Sequence, residues 1–167
     1  FGHILEPSLK QVVLKKKISF FQPKREYDQF LATNQTVSKR ARYLTKRGDL
    51  LNRKIVFLGD DDLTSIATAK LKQAKKIMVI DIDKEILAFI NQAGFKIQTL
   101  EHDLCQPLPA KFHRQFDLVF TDPPHTLNGV SLFLNRAIEL LKPKLTSRLY
   151  FCFGSSDRAR ERELKIQ

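Results

Sequence analysis

The chain has 167 residues, of which 43% are hydrophobic and 28% are charged, a balance typical of one globular domain with a sizeable core. No stretch approaches the roughly 18 uninterrupted apolar residues of a membrane span. We expect a protein of the cytoplasm, with a mitochondrial or other organellar matrix as the alternative. Cys105 and Cys152 lie far apart in the sequence, and we expect small buried side chains with no metal site. Because the sequence begins at Phe1 and not at a methionine, we expect a fragment or a processed chain.

The net charge of +11 is concentrated in the N-terminal third of the chain. Residues 1–54 contain 13 Lys and Arg against 4 Asp and Glu, whereas residues 55–167 contain 16 against 14. A basic arm beside a nearly neutral domain is typical of contact with nucleic-acid phosphates, and equally of a well-solvated surface. The basic residues available for such contact are Lys15, Lys16, Lys17, Lys24, Arg25, Lys39, Arg40 and Arg42.

Helical and strand patterns alternate regularly along the rest of the chain. The spacing of Val37, Ala41 and Leu44 predicts a helix, with Thr36 as its N-cap and Gly48 as its stop. Strands are then predicted at 54–59, 76–83, 96–104, 116–124 and 148–154, and helices at 63–74, 84–94 and 129–142, before a charged helix that closes the chain.

Strands that are apolar almost throughout, joined by helices of about 10 to 14 residues, predict a parallel sheet covered on both faces. We therefore predict an α/β fold, a doubly wound and mostly parallel Rossmann-like sheet of the methyltransferase type. This domain is assigned to residues 31–167, with two further strands expected beyond the chain, and residues 1–30 form a basic N-terminal extension. Ligands of such sheets bind beyond the carboxyl ends of the strands, so the loops there should carry the chemistry.

The loop after the first strand, "GDDDLTS", departs from the usual nucleotide-binding pattern. It contains one glycine, Gly59, followed by three carboxylates, Asp60, Asp61 and Asp62. A pyrophosphate at this helix N-terminus would be repelled by a net charge of about −3, which disfavours NAD, FAD and ATP. The loop favours a ligand that carries adenosine and a positive charge, such as S-adenosylmethionine or its decarboxylated form.

Two later loops supply further carboxylates for such a ligand. Asp81 ends the second strand about 20 residues after the first loop, where Rossmann domains place an acid on the ribose hydroxyls. Asp83 directly precedes a helix and is predicted to cap it. Asp103, followed by Leu104, lies where nucleoside-binding members of this fold class hold adenine, although a role in capping its own loop is equally consistent with the sequence.

The fourth strand ends in the sequence "TDPPH". A D-P-P turn holds the chain extended and directs the Asp122 carboxylate into the cleft. Pro123, Pro124 and His125 would then contact the substrate, although a tight turn before a helix explains them too. Related turns of nucleic-acid amino-methyltransferases end in an aromatic residue, which His125 replaces, and this replacement, together with the three adjacent aspartates, argues against a function as a nucleic-acid amino-methyltransferase.

The chain resembles the branched-chain polyamine synthase family, also called N4-bis(aminopropyl)spermidine synthase, from about residue 25 to 154. The segments that carry the resemblance include "REYDQFLATNQTVSKRARYLTKRGDL", "VFLGDDDLTSIA", "VIDIDKEILAFI", "HDLCQPLP" and "FDLVFTDPPHTLNGVSLFLNRAIELLKP". The resemblance implies transfer of an aminopropyl group from decarboxylated S-adenosylmethionine to the secondary amine of spermidine. It also implies that Asp60–Asp62 supply the catalytic carboxylate, with Asp122 beside them and Tyr27 and Asp28 at the substrate.

Three adjacent aspartates suit a polyamine substrate. A carboxylate near other carboxylates has a raised pKa and can accept the proton of an attacking amine while its neighbours bind the ammonium groups. An enzyme of this kind could form a homodimer. The alternative is a former transferase domain without activity and without a cofactor, bound to RNA in a ribosome-like assembly through the basic arm.

Overall fold

The computed structural model describes residues 24–27, 29 and 31–152. The three basic residues at 15–17, Asp28 and the predicted C-terminal helix lie outside these residues. The helices are α1 (Asn34–Lys46), α2 (Thr64–Lys70), α3 (Lys84–Gln92) and α4 (Leu127–Leu140), and short 3-10 turns occupy Arg25–Tyr27 and Ala110–Phe112. The strands are β1 (Lys54–Leu58), β2 (Lys76–Asp81), β3 (Ile97–Glu101), β4 (Leu118–Thr121) and β5 (Arg148–Phe151).

The five strands form one parallel sheet in the order β3-β2-β1-β4-β5. The central strand β1 is buried on both sides, and its alternate residues face opposite layers. Ile55 and Phe57 pack in a cluster with residues of α1, α2 and α3, whereas Val56 and Leu58 pack in a cluster with α4. The doubly wound α/β fold predicted from the sequence is therefore confirmed.

The sequence placed two helix starts too late. Helix α1 begins at Asn34, and its cap is Thr33, whose hydroxyl accepts a hydrogen bond from the N–H of Thr36, the residue predicted as the cap. Helix α4 begins at Leu127, where Thr126 caps the N–H of Gly129. In both cases a threonine upstream of the predicted start caps the helix.

The predicted strands and three of the predicted helices are too long at their carboxyl ends. Helix α2 stops at Lys70, because the backbone turns at Lys72, which has a left-handed φ of 54°. Strand β4 stops at Thr121, since the prolines after Asp122 have no N–H for a ladder. The residues freed beyond the strands form the loops around the site. No helix within the described residues is long and apolar enough to cross a membrane.

Candidate active site

The loops at the carboxyl ends of the strands surround a cavity of about 230 Å³. The loop after β1 and the loop after β4 face each other across it, as predicted for Gly59 and Asp122. Among the residues that the sequence assigned to the site, those lining the cavity are Tyr27, Gly59, Asp60, Asp61, Asp81, Asp103, Leu104, Asp122 and Pro124. Asp62, Pro123 and His125 adjoin these residues in the chain and are not among the lining side chains.

A tight turn presents the three aspartates. Gly59 adopts a left-handed φ of 65°, and a Cβ there would lie 3.4 Å from the Phe133 ring of α4, so a glycine suits both the conformation and the packing. Leu63 also has a left-handed φ, 59°, and its N–H donates to the Asp60 carbonyl at 2.9 Å. This turn directs the three carboxylates in different directions, so they have different partners.

Asp60 points inward and stabilises the start of α2. Its carboxylate accepts hydrogen bonds from the N–H of Ser65 at 3.1 Å and from the Ser65 hydroxyl at 2.5 Å, and the residue is only 3% exposed. Burial raises the pKa of Asp60 well above its usual range, although the Ser65 donors oppose the rise. The first aspartate therefore organises the loop.

Asp62 points to the opposite side, toward α1. It accepts hydrogen bonds from the N–H of Ala32 and from the guanidinium of Arg40. The other end of the same guanidinium donates to Asp122 at 2.6 Å, so Arg40 joins the loops after β1 and β4. The sequence grouped Arg40 with the basic arm, whereas the structure places it in the wall of the acidic site, with 19% of its side chain exposed.

Asp61 lies between these two anchored carboxylates and faces the cavity. Burial, followed by the charges of Asp62 and Asp122, raises the pKa of Asp61 to about 7. A carboxylate with this pKa can take up and release a proton near neutral pH. Among the three aspartates, Asp61 is thus the one suited to proton transfer.

Asp81 and Asp103 stand on the other side of the cavity. Asp81 is 7% exposed and accepts hydrogen bonds from the N–H of Asp60 at 2.9 Å and from the N–H of Asp83 at 2.8 Å. Asp103 accepts from the N–H of Cys105 at 2.8 Å, the loop-capping contact that the sequence left open. Both residues line the cavity while bracing their own loops, and their contacts to a ligand remain predictions.

The described part of the N-terminal extension closes one side of the cavity. Lys24 forms ion pairs with Asp83 at 2.9 Å and Glu85 at 3.2 Å, and Gln29 donates to Asp83 at 3.1 Å. Asp83 also caps α3 as predicted, since it accepts the N–H of Glu85. These contacts hold Tyr27 and Gln29 in the cavity wall, so Lys24, too, is engaged with carboxylates.

The D-P-P turn packs tightly on the start of α4. Pro123 is buried, and Pro124 lines the cavity. A Cβ on Gly129 would lie 2.9 Å from the Pro124 Cβ, so the glycine permits this close approach. Burial raises the pKa of Asp122, and the Arg40 guanidinium counteracts that rise.

Several lining residues were missed at the level of sequence. They are the residues Gln29, Ile80, Ile82, His102, Cys105, Gly129, Leu132 and Phe133. The sequence could have indicated Ile82, because it is an apolar residue between Asp81 and Asp83 at the end of a strand. In the structure Ile82 is 41% exposed. Leu132 and Phe133 belong to an amphipathic helix, whose spacing indicates a buried face without indicating that the face borders a cavity.

Comparison with known proteins gives consistent matches. Residues 11–167 match the family described as the branched-chain polyamine synthase A C-terminal domain. The N(4)-bis(aminopropyl)spermidine synthase of Methanocaldococcus jannaschii is 44% identical over 125 residues, which cover 72% of this chain and 36% of that protein. The enzyme of the same name from Thermococcus kodakarensis is 38% identical over 126 residues, 72% of this chain and 36% of its own length.

A solved structure agrees with these sequence matches. The branched-chain polyamine synthase C9 mutein of Thermus thermophilus, in complex with N4-aminopropylspermidine and 5′-methylthioadenosine, superposes with a TM-score of 0.85 at 26% identity. The match covers 95% of this chain and 47% of that chain. The chain spans about a third of the length of the curated relatives it matches. From the family match and these identities, the chain belongs to the branched-chain polyamine synthase family, in the region of its C-terminal domain.

Proposed function

We propose that this chain carries the transfer site of an aminopropyltransferase, which moves an aminopropyl group from decarboxylated S-adenosylmethionine to the secondary amine of spermidine. The observation that carries the proposal is the cavity-facing carboxylate of Asp61. Burial, followed by the charges of Asp62 and Asp122, raises its pKa to about 7, and Arg40 forms ion pairs with both of these neighbours. The names of two relatives and the ligands of the Thermus thermophilus structure support the same reaction.

The reaction needs one proton acceptor and one leaving group. The lone pair of the amine nitrogen attacks the aminopropyl carbon bonded to the sulfonium, and the carbon–sulfur bond breaks with its electron pair moving to sulfur, which leaves methylthioadenosine. The new nitrogen–carbon bond makes the amine more acidic, and Asp61 accepts its proton. Because the pKa of Asp61 is about 7, both its ionised and its protonated forms are populated at neutral pH, so the carboxylate can accept the proton and return it to solvent after each turnover.

The nucleoside part of the donor would bind on the β2 and β3 side of the cavity. Asp81 is assigned to the ribose hydroxyls and Asp103 to the adenine, with Gly59 and Leu104 at its edges. The exposed side chain of Ile82 offers an apolar surface for the planar base. Asp81 retains acceptor capacity for this role, because its two oxygens offer about four acceptor sites and the backbone N–H groups that interact with them are those of Asp60, Asp83 and Ile82.

The polyamine would bind between Asp61 and the D-P-P turn. Tyr27, Pro124 and the Asp122 carboxylate form the nearby wall, and the extended carbon chain of a polyamine can lie against such partly apolar surfaces. Pro123 and His125, which flank Pro124 in the chain and do not line the cavity, would affect the substrate through the position of this turn. The assignment of Asp28 to the substrate stays a prediction, because that residue lies outside the described part of the chain.

The RNA-bound alternative gains no support from the residues that the structure describes. Lys24 and Arg40, two members of the basic set, are paired with carboxylates of the site. Lys39 and Arg42 are exposed on α1, where they are also compatible with an ordinary solvated surface. Homodimer formation likewise stays a prediction.

Binding and transfer by the 167-residue chain test the proposal. Calorimetry should show binding of methylthioadenosine and of spermidine, and mass spectrometry should show aminopropylated spermidine when decarboxylated S-adenosylmethionine is supplied. S-adenosylmethionine is the matched control, and we expect it to bind more weakly because its carboxylate meets an acidic wall. Methyl transfer from this control, or the absence of binding by both nucleoside and spermidine, would contradict the proposal.

A further inference from the structure

Arg40 is a permanent cation within a site that is proposed to bind a polycation. It projects from α1 with one guanidinium nitrogen on Asp62 and another on Asp122. Its position is further fixed by the Phe120 ring, whose centroid lies 6.0 Å from the guanidinium carbon. A planar guanidinium that donates from two nitrogens holds both carboxylates in one geometry, which the single ammonium of a lysine cannot reproduce.

This pairing changes which carboxylates are available to a substrate. Arg40 compensates Asp62 and Asp122, Ser65 supplies donors to Asp60, and Lys24 compensates Asp83. Asp61 is left facing the cavity, where burial, followed by the charges of Asp62 and Asp122, raises its pKa. The aspartates at the strand ends around the cavity therefore offer much less negative charge to a polyamine than their number indicates.

We propose that Arg40 is a positioning residue that limits the negative charge beside the attacking amine, so that this amine can be neutral when it reacts. The inference rests on the proposed aminopropyl transfer. A carboxylate beside an amine favours its ammonium form, which has no lone pair and cannot attack carbon. A guanidinium bound to that carboxylate opposes this effect, and so binds the polyamine less tightly while allowing the transfer to proceed.

Among the residues that the structure describes, the charged and titratable groups around Arg40 come from three strand ends. They are Asp62 after β1, Asp122 after β4 and Cys152 after β5. Burial raises the pKa of the Cys152 thiol to about 12, so this thiol stays neutral and leaves Arg40 as the counter-charge of the two aspartates. Asp61 in turn is influenced by Asp62, Asp122 and Asp81.

The inference predicts opposite effects on binding and on rate for Arg40→Gln. Spermidine should bind about 5- to 10-fold more tightly, because two carboxylates lose their counter-charge. The kcat of transfer should fall about 10- to 100-fold, because the amine and Asp61 are both more protonated. The acid limb of the pH–rate profile should move up by about one pH unit, and methylthioadenosine affinity should be unchanged.

Two other variants control this experiment. Arg42→Gln removes the same charge from an exposed position of the same helix and should leave kcat and spermidine affinity within about twofold of the unsubstituted chain. Arg40→Lys keeps the charge but not the two-nitrogen contact, and should lie between the unsubstituted chain and Arg40→Gln in all three readouts. If Arg40→Gln does not fold, which thermal unfolding would show, Arg40→Lys decides.

Each remaining outcome separates the inference from the proposed function. If Arg40→Gln lowers the rate, the spermidine affinity and the nucleoside affinity together, Arg40 has only a structural role. If Arg40→Gln raises kcat, the Arg40 side chain hinders the substrate. Either result overturns the inference. If the unsubstituted chain shows no transfer, the proposed function fails, and the spermidine titration still decides the charge effect: tighter binding by Arg40→Gln supports it, and unchanged binding overturns it.

Discussion

Replacing Asp61 by asparagine should abolish most of the aminopropyl transfer while leaving the nucleoside bound. Asparagine keeps the size of the side chain and cannot accept the amine proton, so we expect kcat to fall about 10²- to 10⁴-fold. Methylthioadenosine should still bind within about twofold of the unsubstituted affinity, because its assigned contacts are to Asp81 and Asp103. Steady-state kinetics and calorimetry on the same preparation check both expectations.

The pH dependence of the unsubstituted chain tests the same assignment. Because the pKa of Asp61 is about 7, transfer should be slow at pH 5, half-maximal near pH 7 and maximal above it. Ser65→Ala, which removes a donor from the neighbouring Asp60, should leave that midpoint nearly unchanged. A kcat that survives Asp61→Asn, or a profile with no ionisation near pH 7, would contradict the role of Asp61 as proton acceptor.

The Asp61→Asn substitution should also make the folded protein more stable. The pKa of Asp61 is higher in the folded chain than in the unfolded chain, so ionising it costs folding free energy that grows as the pH rises from about 4 to 7. Asparagine avoids this cost, and we expect Asp61→Asn to raise the free energy of unfolding by about 1 to 3 kcal/mol at pH 8. The gain should vanish below about pH 4, where the Asp61 carboxyl is protonated in both the folded and the unfolded chain.

Asp117 supplies the opposite control for stability. It lies at the amino end of β4, away from the cavity, where Lys142 donates at 2.5 Å and the N–H of Lys54 donates at 2.9 Å. Although burial raises the pKa of Asp117, these donors outweigh it, and the pKa is lowered. Asp117→Asn should therefore destabilise the chain at pH 8 and leave transfer unaffected. Denaturation at pH 4 and pH 8 separates the two variants, and equal shifts would contradict the electrostatic explanation.

Local sequence patterns were sufficient to predict the fold and the edge of the sheet at which the cavity lies. Asp83 directly precedes an amphipathic segment, so its capping role could be inferred from neighbouring residues. The alternation of buried strands and helices predicted a parallel sheet, and the rule that ligands bind beyond the carboxyl ends of its strands predicted that the Gly59 and Asp122 loops border one cavity. Such features depend on contacts between residues that are close in the chain, or on rules that hold for all parallel sheets.

The different contacts of the three adjacent aspartates could not be predicted from local sequence patterns. It depends on the turn at Leu63, whose left-handed φ is unusual for a leucine and directs Asp60, Asp61 and Asp62 to different partners. The partner of Asp62 is Arg40, 22 residues away, which also reaches Asp122, 82 residues away. Net charge along the chain grouped Arg40 with the basic arm, since sequence spacing carries no information about such a tertiary contact.

Asp81 is the residue whose substitution should most weaken nucleoside binding on the β2 and β3 side of the cavity. Its two oxygens accept the N–H groups of Asp60 and Asp83, and the ribose hydroxyls are assigned to the acceptor sites that remain. Asp81→Ala should weaken methylthioadenosine binding about 10- to 100-fold and lower the free energy of unfolding by about 2 to 5 kcal/mol, because two buried N–H groups lose their partner. Calorimetry and urea denaturation measure these two effects.

Two further variants separate ribose binding from the bracing of the loops. Asp81→Asn keeps one acceptor oxygen for the backbone, so it should lose less stability than Asp81→Ala but most of the nucleoside affinity. Asp117→Ala removes a carboxylate that likewise accepts a backbone N–H, at the far end of the sheet, and should cost stability alone. Should Asp81→Ala fail to fold, Asp81→Asn decides. Nucleoside affinity that is unchanged in the folded Asp81 variants would leave this carboxylate as a brace between two loops and remove it from the ribose.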